Sequence, residues 1–224
     1  MGLPAPHPGP PSDLYSRKLP IRQFAGELYR TYELSNNPVY SGRSGIKLFD
    51  DPRGQYGVLY TAADPYGSFI ETFGQLRAHP ISSSELKRKG LARLAARLPL
   101  NLVDLAQPGA LARLSADARL FAGDYGTAQL WSRAFYEWPL PNMDGILYPA
   151  RHDHTRLAIA VFDRAEGIHL VESHPWYDDG DEASSSRPML GAILDHYGFR
   201  LIETITRPQR KGPGRAGQPG LFDD

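Results

Sequence analysis

The chain has no cysteine among its 224 residues, which excludes disulfides, thiolate nucleophiles, Fe–S clusters and Cys-bound zinc. It also lacks any long apolar run. The longest, Leu157 to Phe162, falls far short of the about 18 residues needed to cross a bilayer. Surplus charge is missing too: 25 Lys and Arg face 25 Asp and Glu, so the excess positive charge on which a dedicated polyanion binder depends is not there. The opening stretch MGLPAPHPGPPSD contains no apolar core like that of a signal peptide. These absences lead to the expectation of a cytoplasmic protein with no membrane partner and no dedicated nucleic-acid partner.

Glycine (22) and proline (20) are plentiful and gather at the two ends. Residues 1–20 hold Pro4, Pro6, Pro8, Pro10, Pro11 and Pro20, a composition that resists helix and sheet because each ring fixes φ and removes a donor. Residues 207–224, RPQRKGPGRAGQPGLFDD, form a Gly/Pro/Arg-rich tail of the same kind, so both termini are expected to be flexible. Residues 21–206 remain as one folded domain. Within it, β-branched and aromatic runs bounded by Gly, Pro and Asp predict strands at Gly26–Leu34, Gly57–Ala62, Leu100–Leu105, Gly145–Pro149, Leu157–Asp163, His169–Glu172 and Phe199–Thr206. Helices are fewer. Asp64 followed by Pro65 reads as an N-cap with proline at the first helical position, and Phe69, Phe73 and Leu76 form one apolar stripe behind it. Thr127–Trp138 and Pro188–Tyr197 are the other good helices, the second capped from Ser184–Ser186 and stopped at Gly198. Too few helices to separate every strand pair means an α+β domain rather than a doubly wound sheet.

Several motifs fail on context. Gly212, Gly214 and Gly217 spell G-x-G-x-x-G, but Pro213 intrudes and no helix follows, so no dinucleotide-binding unit can close there. His152 and His154 flank Asp153, yet no third metal ligand has the right spacing, and a solvated connection is the better reading. Asp178, Asp179, Asp181 and Glu182 lack the alternating ligand order of a calcium loop. Arg207, Arg210, Lys211 and Arg215 read as solvated tail charge in a segment that ends in Asp223 and Asp224.

One constellation carries more. Arg30 lies in the strand segment GELYRTYEL, Tyr60 in GVLYTAA, and Glu71 on the helix that follows. At 100° per residue from Phe69, Glu71 falls at about 200°, away from the apolar stripe, and Gly67, one turn earlier, leaves room beside its carboxylate. By spacing alone, the simpler reading is a solvated glutamate, an edge-strand arginine and a core tyrosine.

The segments LYR (28–30), FDDP (49–52), VLYTA (58–62), FIET (69–72), LVDL (102–105), GDY (123–125), QLWSRAF (129–135), DGILYPARHD (144–153) and AVFDRA (160–165) follow one another in an order that resembles the RES domain family. The resemblance runs from Leu28 to Asp163, with weaker similarity onward to Thr206. It implies a fold related to ADP-ribosyltransferases: a mixed, largely antiparallel split sheet with flanking helices. It also implies an enzyme that takes NAD as substrate, releases nicotinamide, requires no cofactor or metal, and in many members is the toxin of a bacterial toxin–antitoxin pair. Such a protein would have a cognate helix-turn-helix antitoxin as partner, and a homo-oligomer is equally compatible. Carried onto this chain, the catalytic residues are Arg30, Tyr60 and Glu71, and those binding NAD are Arg30, Lys47, Tyr60, Ala150 and Arg151. Two positions depart from the pattern. The family's serine is Ala150, which removes a hydroxyl, and the arginine often found before the FD pair is Leu48, beside Lys47, whose point charge does not imitate an arginine fork.

The chemistry fits these residues. Nicotinamide leaves NAD as a neutral base, so no acid catalyst is needed, and one carboxylate is enough to stabilise the developing oxocarbenium ion. Glu71 is the candidate for that role, with Arg30 offering paired donors to the pyrophosphate, Arg151 a second phosphate contact, and Tyr60 a ring face to the nicotinamide. Water as nucleophile makes a glycohydrolase, phosphate a phosphorylase, and a macromolecule an ADP-ribosyltransferase. Arginine-modifying transferases carry a Gln or Glu two residues before the catalytic glutamate, where this chain has Phe69. A different class of reading, motivated by Ala150 and Leu48, is a weakened domain that binds a nucleotide or a partner without turnover.

Overall fold

The computed structural model describes residues 8–76, 80–178 and 186–203. The glycine triad of the tail, the basic tail residues and the acidic residues after Asp178 lie outside them, as do Ser184 and Ser185 of the serine run expected to cap the last helix, whose third member, Ser186, begins that helix. Ten strands are present among the described residues: β1 (Ile21–Phe24), β2 (Leu28–Glu33), β3 (Val58–Ala62), β4 (Pro80–Ser82), β5 (Lys89–Ala95), β6 (Leu100–Asp104), β7 (Gly145–Pro149), β8 (Leu157–Phe162), β9 (His169–Pro175) and β10 (Arg200–Ile202). The six helices are α1 (Pro65–Phe73), α2 (Ser83–Arg88), α3 (Ala110–Leu114), α4 (Arg119–Ala122), α5 (Tyr125–Tyr136) and α6 (Ser186–Tyr197). The fold is α+β. None of the described helices is long and apolar enough to cross a membrane.

Eight strands form one sheet in the order β1-β6-β7-β8-β3-β2-β5-β9, and β10 pairs with β4 in a small parallel ribbon. Within the large sheet only β6 and β7 run parallel. The sheet is split. β3 pairs with β8 along its length and β2 with β5 along its length, but β2 and β3 register at a single pair, Tyr29 with Ala62. Beyond that pair the two strands part, and the opening between them forms the cleft described below.

Local chemistry explains the elements that flank the opening. Asp64 caps α1, its Oδ1 accepting the Gly67 N–H at 2.9 Å, and Pro65 follows at the first helical position. Phe69, Ile70 and Phe73 are buried against the sheet, while Leu76 packs at the edge of the same cluster. Gly67 serves a different purpose from the one its spacing suggests. A Cβ there would stand 3.1 Å from the Ala62 Cβ and 3.4 Å from the Arg156 Cβ, so this glycine lets α1 approach β3 closely and does not widen the space beside Glu71. Asp124 caps α5 through the Thr127 N–H at 2.9 Å, and Trp131 and Phe135 of that helix are fully buried.

Among its described residues, 8–20, the proline-rich stretch forms no strand and a single turn of 3-10 helix, Leu14–Ser16, yet it is packed. Leu14 and Leu19 are buried, the Trp131 indole donates to the Pro8 carbonyl at 3.0 Å, and the Arg17 guanidinium donates to Ser115 Oγ at 2.7 Å. Strands β1, β4 and β5 and helices α2, α3 and α4 are additions to the elements expected from periodicity, while α6 ends as predicted, before Gly198 at φ +68°.

Candidate active site

The opening between β2 and β3 holds a cleft of about 420 Å³, inside the range of small-molecule sites. Its wall takes Arg30 to Glu33 from β2, Tyr60 and Thr61 from β3, and Ser68, Glu71 and Thr72 from α1. The rest of the lining comes from the 36–48 connection, with Lys47 and Leu48, from Phe121 and Tyr125 on α4 and α5, and from Tyr148, Arg151 and His152 at and just after the end of β7. Arg30, Lys47, Tyr60, Glu71 and Arg151, scattered over more than half of the sequence, therefore share one cavity. The simpler reading of these residues as unconnected surface and core groups does not hold.

Glu71 is half-buried on α1, and its Oε1 accepts the backbone N–H of Arg151 at 2.6 Å. Burial pushes its carboxyl above the ordinary value, and the Arg151 N–H and charge draw it part of the way back. The other carboxylate lining the cleft, Glu33, is engaged by the Lys89 ammonium at 2.5 Å. The chemistry of a carboxylate in this cleft accordingly falls to Glu71.

Two cations, Arg30 and Lys47, line the same cleft as Glu71. Arg30 Nη1 donates to the Pro38 carbonyl at 2.7 Å and the Tyr40 carbonyl at 2.9 Å, so this guanidinium both lines the cleft and ties down the connection after β2. Lys47 reaches over the Tyr60 ring at 5.1 Å from its centroid. Burial and repulsion from Arg30 hold the Lys47 ammonium below its usual pKa, with Asp50 pulling the other way. Like charges converging in a confined space raise each other's energy, a cost that a bound anion would offset.

Tyr60 is set by its neighbours. Its hydroxyl donates to Asp50 Oδ1 at 3.0 Å and accepts the Phe49 N–H at 2.8 Å. Burial first, then the Asp50 charge, lifts its phenol well above the ordinary value, so it stays neutral. Asp50, part of the FDDP segment but not among the expected site residues, is buried and also accepts from Ser44 Oγ at 2.7 Å and the Lys47 N–H at 3.2 Å. Gln129 on α5 holds the same loop by donating to the Gly45 and Lys47 carbonyls at 2.9 Å each. The available signal for Asp50 was a pair of adjacent acids between Phe49 and Pro52, an unusual place for two charges to be exposed.

The remaining predicted residues divide. The Arg151 side chain lines the cleft and also donates to the Ala122 carbonyl at 3.3 Å. Ala150 is fully buried, does not line the cleft, and gives its N–H to the Arg156 carbonyl at 2.9 Å. Of the two histidines considered as metal ligands, His152 lies in the cleft, whereas His154 stands edge-on to Phe121. Among the described residues, no group of three His, Asp or Glu is placed to hold a metal ion.

A family model for the RES domain matches residues 28–183. The chain belongs to the RES domain family. Among solved structures, a chain of the M. tuberculosis MbcT–MbcA toxin–antitoxin complex is similar to this RES chain with a TM-score of 0.55 and 17 % identity, over 69 % of this chain and 86 % of that one. At that identity the likeness concerns the fold. No curated protein sequence matches the chain. The family match begins at β2 and spans every residue that lines the cleft, leaving β1 and α6 outside it.

Proposed function

We propose that this RES protein breaks the bond between nicotinamide and ribose in NAD, with water or phosphate as nucleophile, and acts as the toxin of a toxin–antitoxin pair. The observation that carries the reading is that one half-buried carboxylate, Glu71, shares a single cleft with two cations, Arg30 and Lys47, that repel each other. An anionic pyrophosphate would occupy the cationic side. The ribose carbon that becomes positive would then meet Glu71. Because the departing nicotinamide is neutral, no proton has to be delivered to it, which suits a cleft in which Glu33 is already paired and Tyr60 is held neutral.

The reading also favours a small nucleophile. Phe69, two residues before Glu71, is sunk in the core, so α1 offers no second carboxyl or amide there to orient an incoming protein side chain. The toxin role draws on the family and on the complex in which the similar chain was solved, and it implies that a cognate antitoxin binds this chain. Mass spectrometry of NAD incubated with the full chain, with and without phosphate, tests the reaction. Nicotinamide with ADP-ribose identifies the glycohydrolase, and nicotinamide with ADP-ribose phosphate the phosphorylase. NAD bound yet intact after long incubation sinks the proposal and selects a binding domain without turnover.

A further inference from the structure

The connection between β7 and β8 is tied in several places. The Ala150 N–H donates to the Arg156 carbonyl and the Arg156 N–H to the Asp153 carbonyl, each at 2.9 Å. Asp153 Oδ1 accepts from the Thr155 N–H at 3.0 Å and from Thr155 Oγ1 at 2.6 Å, closing a side-chain-mediated turn. Its other oxygen, Oδ2, accepts the Tyr197 hydroxyl at 2.9 Å, and Tyr197 is the last residue of α6. Arg156 carries the tie to α1: its guanidinium lies 4.7 Å from the centroid of the Tyr66 ring and 3.6 Å from Asp64, the cap of that helix. The loop is thus fastened near the start of α1, and its other end delivers the Arg151 N–H to Glu71, two turns further along the same helix.

We infer that Asp153 and Tyr197 are positioning residues for Glu71, holding the β7–β8 loop so that the Arg151 N–H stays on the carboxylate. Neither touches the cleft. A hydrogen bond to a charged oxygen weakens steeply with angle and distance, and surface loops move unless something fastens them. With the tie loosened, Glu71 keeps its burial and loses a donor, which favours its protonated form. Burial alone would raise the Asp153 carboxyl, but the bonds from Thr155 and Tyr197 and the nearby Arg156 hold it below the usual range, so the tie is charged at neutral pH. Arg151 and Tyr148 interact electrostatically with Glu71, and Arg30, Lys47, Tyr125 and His152 share its cleft; all are unchanged when Asp153 or Tyr197 is replaced.

The inference rests on Glu71 being the carboxylate that meets NAD, but its test does not depend on turnover. Carbon-detected NMR titration of Glu71 in the full chain reads the carboxyl directly, and the pH profile of nicotinamide release reads its consequence. Tyr197→Phe is expected to raise the Glu71 midpoint by about half a pH unit and Asp153→Ala by about one. The acid limb of the rate should follow, with kcat falling about threefold and about tenfold and KM for NAD staying within about twofold. Asp153→Asn, which keeps an Oδ1 acceptor for Thr155, should lie closer to the parent than Asp153→Ala. A Glu71 midpoint unmoved in Tyr197→Phe and Asp153→Ala overturns the inference. If Asp153→Ala fails to fold, Tyr197→Phe, which removes one hydroxyl, decides alone. If the parent releases no nicotinamide, the proposed reaction falls while the NMR midpoints still decide the positioning role.

Discussion

Two neighbouring strand pairs of the same sheet behave in opposite ways. β3 and β8 are zipped from Val58–Phe162 to Ala62–Ala158 and carry a nearly continuous buried surface. β3 and β2 lie side by side too, yet they register at one pair and then diverge. On the zipped side, the alternation of buried residues fills two cores, with Val58 and Phe162 toward the helices and Leu59, Ile159 and Val161 toward the opposite face. On the open side, the corresponding positions are Arg30, Thr31, Tyr32 and Tyr60, which line a cavity. A strand that stops pairing leaves backbone and side-chain polar groups without sheet partners, and here those groups face the place where a polar ligand is proposed to sit. Stability and chemistry are thereby assigned to different strand pairs, which makes the assignment easy to break.

The largest effect should come from the zipped side. Phe162→Ala deletes a fully buried ring packed against Tyr56 and Tyr136 and is expected to cost about 3–5 kcal/mol of stability by thermal or chemical denaturation. A cost under about 1 kcal/mol would mean that the zipped side does not carry the stability. On the open side, Glu71→Gln should reduce nicotinamide release by about 100-fold or more. Its melting temperature should be unchanged or higher near neutral pH. The raised folded-state pKa of Glu71 means that its ionised form burdens the fold, and that the burden grows as pH rises through that value. Unchanged release in this variant would remove Glu71 from the reaction.

Arg30→Lys keeps the charge but not the planar guanidinium whose Nη1 donates to both the Pro38 and Tyr40 carbonyls, so KM for NAD should rise about tenfold, measured by steady-state kinetics, with kcat less affected. A larger fall in kcat than rise in KM would mean that Arg30 acts on the transition state instead. The smallest effect is that of pH on the parent protein. Because Glu71 must be ionised to stabilise a cation, the acid limb of kcat/KM should lie above the ordinary carboxylate range, and a limb at or below that range would contradict its burial.

The strands of the zipped side were the easiest to read from sequence. Gly145–Pro149 appears as β7 with the same bounds, and Gly57–Ala62 and Leu157–Asp163 differ from β3 and β8 by one residue at one end. Each is a short, nearly continuous apolar run between turn residues, the pattern of a strand covered on both faces. β5 was missed. Its sequence, KGLARLA, mixes two basic residues into a run of strong helix formers, and it becomes a strand through pairing with β2 and β9 on either side. In the site, Arg30, Tyr60 and Glu71 were legible through family resemblance and helical phase. Asp50 and Tyr197 were not, because their roles depend on partners 10 and 44 residues away that no local period reveals. Gly67 was read in the right place with the wrong neighbour, since helical phase gives a direction around the axis and not what lies there.

The segment leading to β1 bears on how this protein should be handled in the laboratory. β1 covers the flank of β6 by antiparallel pairing from Ile21–Val103 to Phe24–Leu100, and Leu14 and Leu19 plug the core just before it. Trimming the polypeptide to the span that the family shares would strip that cover, bare the hydrogen-bonding flank of β6, and invite sticking between molecules during purification. Such a truncated preparation would lose solubility before any assay began, and its inactivity would teach nothing about the cleft.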